Sequence, residues 1–134
     1  TLWHSLEHIH RLTENLEAIQ RVLKKKGKLV IAVPNHNSYD AHYYEELWAA
    51  WDVPRHIWHF TPKQMKMLGE KFGFSLVTAK SMPFDGVYVS IMSEQYKKSK
   101  FALIKGIYRG SLSWINGIFN SEKSSSVIYV FSKN

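Results

Sequence analysis

Five apolar residues in a row, Leu29-Val30-Ile31-Ala32-Val33, stand between a glycine turn at Gly27 and a break at Pro34-Asn35. A run this short, this β-branched and this apolar reads as a strand buried on both faces, the kind found inside a parallel sheet. The preceding segment has the opposite periodicity. Leu16, Ile19, Val22 and Leu23 recur at three- and four-residue spacings, so Thr13 to Lys26 reads as an amphipathic helix. Thr13 is placed to N-cap it, Glu14 and Glu17 suit its first turn, and Lys24-Lys25-Lys26-Gly27 close it. Helix, tight turn and buried strand together specify an α/β fold.

The rest of the chain extends that alternation. Phe60 and Met65 occupy the staple positions around a Thr61-x-x-Gln64 capping box with Pro62 at the first helical position. This predicts a helix with Met65, Leu68 and Phe72 inward, ended at Gly73. Strands are predicted over Phe74–Ala79 and Val127–Phe131. Residues 85–96 fit helix and strand spacing equally well. Residues 97–120 form a basic amphipathic segment in which Gly106, Gly110 and Gly117 weaken a helix. Residues 36–60 have no clean period beyond a short helical piece near 40–50. They are rich in His and Trp, as a loop region on the substrate side of a fold would be. Tyr39, Trp48, Trp51 and Trp58 are candidates to wall a pocket, with core packing favoured for at least two of them.

Composition narrows the classes. The 134 residues include no cysteine, which removes disulfides and thiolate metal sites and fits a cytoplasmic protein. No run of about 18 apolar residues is present to span a bilayer. The net charge of +7 is concentrated late, since residues 97–134 hold seven Lys/Arg against Glu122 alone. Peripheral contact with an anionic membrane through 97–120 is therefore an expectation, whereas a nucleic-acid partner is not.

The opening His4-Ser5-Leu6-Glu7-His8 has the H-x-x-E-H form of an inverted zinc-protease helix. A longer pattern competes with it. Leu6-Glu7-His8, then Arg21-Val22-Leu23-Lys24-x-x-Gly27, Ile31-x-Val33-Pro34-Asn35, Asp52-x-Pro54-x-His56, His59-Phe60-Thr61 and Gly73-Phe74 resemble, in that order, class I S-adenosylmethionine-dependent methyltransferases. The nearest group is the small-molecule methylases similar to those of ubiquinone biosynthesis. The resemblance covers most of residues 1–80. It implies a partial Rossmann-like sheet: a stub of the family's fourth strand, then strands five, six and seven with flanking helices. Residues 1–134 are then the carboxyl-terminal portion of one methyltransferase domain.

The family's glycine-rich G-x-G-x-G turn and the acidic residue for the ribose are not in this sequence. The resemblance therefore implies that S-adenosylmethionine is the cofactor of a longer parent, held with an amino-terminal half of the same chain. The partner expected for catalysis is a small-molecule acceptor methylated at oxygen or carbon. Candidate catalytic residues are His4, Glu7 and His8, with Trp3 beside the cofactor, and no metal is expected. For His8 a tie from the imidazole to nearby backbone is an equal alternative. Candidate substrate contacts are Asn35, Tyr39, His56 and His59, with an Asx turn the alternative for Asn35. Rival readings are a non-catalytic interaction module derived from this fold, and a basic surface-binding domain. A sheet cut at Thr1 is further expected to uncover Leu29, Ile31 and Val33, and so to favour self-association.

Overall fold

The computed structural model describes residues 1–134. Four strands form one mixed sheet in the order β1-β2-β4-β3. They are β1 (Leu2–Trp3), β2 (Lys28–Pro34), β3 (Phe74–Ser81) and β4 (Ser126–Lys133). The stub β1 runs parallel to β2, pairing Leu2 with Ile31 and Trp3 with Ala32. The chain's last strand, β4, lies antiparallel between β2 and β3. The sheet is therefore mixed, not parallel as the apolar run suggested. A register shift between Leu76 and Thr78 marks a bulge in β3.

One face of the sheet carries the core. Leu29, Ile31 and Val33 of β2 and Val127, Tyr129 and Phe131 of β4 pack with Leu12 and Leu16 of α1 (Leu12–Val22) and Met65 of α3 (Pro62–Lys71). The other face is only partly covered, since Val30, Ile128 and Val130 are half-buried while Ala32 is buried. The both-faces expectation for β2 thus holds at Ala32 and not at Val30. The expected uncovering of Leu29, Ile31 and Val33 does not occur. They are 4%, 2% and 0% exposed, because α1, α3 and Leu6 cover their face without help from any earlier residue.

Local signals set most boundaries. The capping box forms: Thr61 Oγ1 accepts from Gln64 N, and Gln64 Oε1 accepts from Thr61 N at 2.8 Å. Phe60 and Met65 are both buried as a staple requires. Gly69 faces Phe131 so closely that a Cβ would lie 2.3 Å from the ring. Gly73 takes φ +77° and ends α3 as predicted.

Helix α1 departs from its prediction. It begins at Leu12, with no side-chain cap, and ends at Val22. Its inward stripe is Leu12, Leu16, Ile19 and Leu23, while Val22 points to solvent. The left-handed turn residue after it is Lys26 (φ 64°), not Gly27.

The ambiguous segment is helix α4 (Asp85–Tyr96), followed by α5 (Ala102–Phe119), which stays helical through its three glycines. The two pack side by side as a hairpin between β3 and β4. Between β2 and α3 lie α2 (Tyr39–Tyr44) and two 3-10 turns, Glu45–Leu47 and Ala49–Trp51. Trp48 is buried there with Ala41, Tyr44, Ala50 and Val89. Its Nε1 donates to buried Asp40 at 2.7 Å, and Asp40 also accepts from Ser113 and Ser125.

Candidate active site

The carboxyl ends of β1, β2 and β3 open on a cavity of about 280 Å³. Its walls include His4 after β1, Pro34 at the end of β2, Asp85 and Tyr88 at the start of α4, and Asp52, Arg55 and His56 from the loop before α3. Ligand sites of open α/β sheets form at this edge because the loops that follow the strands converge there.

His4 is held in place by its backbone. Its N–H donates to Ala32 O at 2.9 Å, and the residue then turns through φ 44°. That turn aims the ring away from the strand, and Leu6–His8 follows as one 3-10 turn. No α-helix exists over residues 4–8, so the paired imidazoles of the zinc-protease pattern are not formed. The short motif fails on geometry.

Glu7 is the unusual member of the site. It is 1% exposed, and neither carboxylate oxygen has a well-formed hydrogen bond. Its nearest polar neighbours are His4 Nδ1 at 3.3 Å and His56 Nε2 at 3.9 Å. A buried carboxylate with unmet oxygens is costly unless neighbouring cations offset it. The Glu7 contact raises the affinity of the His4 imidazole for its proton above the ordinary histidine range. Burial opposes this, and the charges of Asp85 and Glu7 add to it. Asp85 is pushed up by burial, with the hydroxyl of Ser126 donating to it and pulling the other way.

With Nδ1 turned to Glu7, the His4 Nε2 faces the cavity side, 3.3 Å from Met82 Sδ. The thioether can only accept, so a hydrogen bond there is donated by Nε2–H, and the ring that faces Glu7 through Nδ1 and Met82 through Nε2 is served best when both nitrogens carry a proton.

The other predicted residues are dispersed around this centre. His56 lines the cavity and donates through Nδ1 to Ala50 O at 2.8 Å, leaving Nε2 toward Glu7. His8 is exposed. It donates through Nδ1 to Arg55 O at 2.9 Å and stacks edge-on against His56, which is the backbone tie held as its alternative. The Glu7 carbonyl accepts from Ile57 and Trp58, joining the same two segments. His59 sits behind Trp51 and donates to its carbonyl at 3.0 Å. Trp3 is about half exposed at the open sheet edge beside His4.

Asn35 is fully buried and spent on structure. Its amide donates to the carbonyls of Glu122 and Ser124, and its Oδ1 accepts from Asn37 N. Tyr39 lies in a separate hollow with His42, Tyr43 and Lys123. Sequence reasoning gave no site role to Asp85, Arg55, Asp52 or Tyr88. Asp52 stood in the Asp52-x-Pro54-x-His56 pattern, and Asp85 had a signal in opening the segment that follows a strand's carboxyl end.

Glu7, His8 and His56 bring one ligand-capable atom each within 4.8 Å of one another. A carboxylate and two imidazoles are ligand types that zinc accepts, and the three converge here. Trp3 ends the two-residue strand β1 and His4 follows it, and none of the seven glycines makes a G-x-G pair.

The comparisons with known proteins agree on the fold. A structure described as a sarcosine dimethylglycine methyltransferase from Galdieria sulphuraria superposes with a TM-score of 0.55 at 17% identity. That match covers 98% of this chain and 51% of that one. Phosphoethanolamine N-methyltransferase 2 of Haemonchus contortus, solved with phosphomonomethylethanolamine and S-adenosylhomocysteine, gives a TM-score of 0.52 at 16% identity. It is covered over 32% of its length against 98% of this chain. The chain thus spans about half or less of the solved structures it matches. No curated protein matches the sequence. The family model described as methyltransferase domain matches residues 1–79, more than half of the sequence. The chain belongs to the methyltransferase domain family.

Proposed function

We propose that this chain is the acceptor-side half of an S-adenosylmethionine-dependent methyltransferase that methylates a small molecule at oxygen or carbon. The observation that carries the reading is the line from the buried Glu7 carboxylate through the His4 imidazole to the cavity at the strand ends. S-adenosylmethionine, when bound by the longer protein, supplies a sulfonium methyl as the electrophile.

The residues of this chain prepare the other reactant. The cavity takes an acceptor with an acidic O–H or C–H, and neutral His4, its Nε2 having lost its own proton and its contact with Met82 Sδ, removes that proton as the acceptor's lone pair takes the methyl group. Glu7 holds the imidazole in the Nδ1–H tautomer and stabilises the imidazolium that results. Tyr88 and Met92 provide apolar walls. Arg55, paired with Asp52, offers a cation at the rim for an acceptor carboxylate. His56 lies on the far side of Glu7, its Nε2 3.9 Å from the carboxylate. Orientation of acceptor and methyl does most of the work in such a displacement, and a positioned base adds about 10²–10⁴-fold.

The experiment is methyl transfer by the full chain, including whatever precedes Thr1, from S-adenosylmethionine labelled in the methyl group to a panel of small phenols, hydroxy acids and activated carbon acids. Transfer that falls about a hundredfold in His4→Ala while substrate KM changes little supports the reading. Equal turnover by wild type and His4→Ala would sink the role given to His4.

A further inference from the structure

Helix α5 is built inside out. Its buried stripe is Gly106, Gly110, Ser113 and Gly117, all small. A Cβ on Gly106 would lie 2.5 Å from Ile91 Cα, and one on Gly110 would lie 2.3 Å from Val87 Cα. The backbones of α4 and α5 therefore approach as closely as the stripe permits. The large apolar residues all point the other way. Leu103, Ile104, Ile107, Tyr108, Ile115 and Ile118 are exposed, and Phe119 is 87% exposed. At about 100° per residue they share one arc of roughly 160° with half-buried Trp114 and Ser111, and no charged residue falls within that arc. Contiguous apolar surface of this kind is rare on a monomer and marks a docking face.

The charge around the arc identifies the occupant. Lys105 and Arg109 flank it on the same helix, and Lys97, Lys98 and Lys100 precede it in the α4–α5 connection. None of these five cations pairs with a carboxylate in the structure. Arg109 lies over the Tyr43 ring at 4.0 Å and Lys97 lies over the same ring at 5.5 Å, so cations are gathered on one flank of the apolar face. An apolar arc edged by unpaired cations complements the surface of an anionic bilayer, with acyl chains below and phosphates at the rim.

A second copy of the chain would bring the same lysines against one another in a two-fold interface. Residues preceding Thr1 would join at β1, the sheet edge opposite β3, from which the hairpin departs. No helix is long and apolar enough to cross a membrane, so the fitting geometry is a helix lying in the interface. We infer that the outer face of α5 is a docking surface for anionic membrane, with Ile104, Ile115 and Phe119 entering the acyl region and Lys98, Lys100 and Lys105 meeting lipid phosphates. This inference goes beyond the methyl-transfer reading and does not rest on it.

The test is sedimentation of the full chain with vesicles of phosphatidylcholine alone and of phosphatidylcholine with phosphatidylglycerol, in low and high salt. The expected result is binding to the anionic vesicles only. Both Ile104→Glu/Ile115→Glu and Lys98→Glu/Lys100→Glu should weaken it about tenfold, with melting temperatures unchanged because all four side chains are exposed. The inference is overturned if wild type sediments with neither vesicle, or if the Ile variants bind as well as wild type. It is equally overturned if light scattering shows a dimer that the Ile variants dissociate, which would make the occupant a second copy. Preference for duplex RNA over anionic vesicles at equal salt overturns it as well.

Discussion

Gly110 and Val87 touch backbone to backbone, since a methyl group added at Gly110 would stand 2.3 Å from Val87 Cα. In an exposed helix Gly→Ala stabilises by about 1 kcal/mol. Here the added carbon meets backbone, which cannot rotate away, so the sign reverses. We expect Gly110→Ala to destabilise the chain by about 2 kcal/mol and Gly110→Leu by more. Urea denaturation monitored by tryptophan fluorescence checks it, and a gain in stability would mean that the two helices are farther apart than described.

A second prediction concerns the Asp40 network. Asp40 is fully buried and accepts from Trp48, Ser113 and Ser125, which belong to a loop, α5 and the approach to β4. Asp40→Ala leaves three buried donors without an acceptor and should cost roughly 3 kcal/mol or more. Asp40→Asn keeps an acceptor oxygen and should cost less. Equal loss in both variants would assign the effect to charge and not to hydrogen bonding.

The third prediction is a pH dependence. The His4 proton is held more tightly in the folded chain than in the unfolded one. Its stabilising contribution is therefore complete below about pH 6.5, the unfolded value, and disappears as pH rises through the higher folded value. Removing the carboxylate with Glu7→Gln should lower the His4 midpoint, read from its imidazole proton resonances by NMR titration. An unchanged midpoint would show that Glu7 does not hold that proton. If His4 is the base, turnover of the full chain should rise with pH through the same midpoint.

The 134 residues taken alone should not bind S-adenosylhomocysteine appreciably. They lack any glycine-rich strand turn and any acidic residue placed for the ribose. Titration calorimetry measures this directly, and low-micromolar affinity would mean that the strand-end residues Trp3 and His4 hold more of the cofactor than their position suggests.

What the sequence disclosed and what it withheld follow from the range of the interactions. Thr61, Pro62 and Gln64 form a local device, so the start of α3 could be placed to the residue. Leu29–Val33 revealed itself by apolarity alone. Its neighbours did not, because the antiparallel entry of β4 depends on residues about a hundred positions later. Helix α4 was undecidable for a physical reason: Val87 and Ile91 face α5, Val89 and Ser93 are buried on the other side, and the exposed positions include Tyr88 and Tyr96. With small polar residues buried and aromatic ones exposed, no amphipathic period survives. Val22 misled because it continues an apolar spacing that Leu12 in fact starts. In the site, His4 and Glu7 were visible as a short motif, but their partners arrive from two other segments, Asp52 and His56 from the loop before α3 and Asp85 from the start of α4. Chain topology, not local pattern, brings them together.

The place of β4 in the sheet has a consequence for synthesis. A ribosome makes β2 and β3 well before β4, yet β4 lies between them and provides their only shared neighbour. At about 5–20 residues per second the chain spends several seconds with both strands made and the slot between them empty. During that interval β3 has no strand to pair with and β2 has only the two residues of β1. Emergence of Ser126–Lys133 therefore closes the sheet in one late event. A ribosome paused before the codon for Ser126 would hold a chain with two unpaired strand edges, which invite pairing with another chain until β4 arrives.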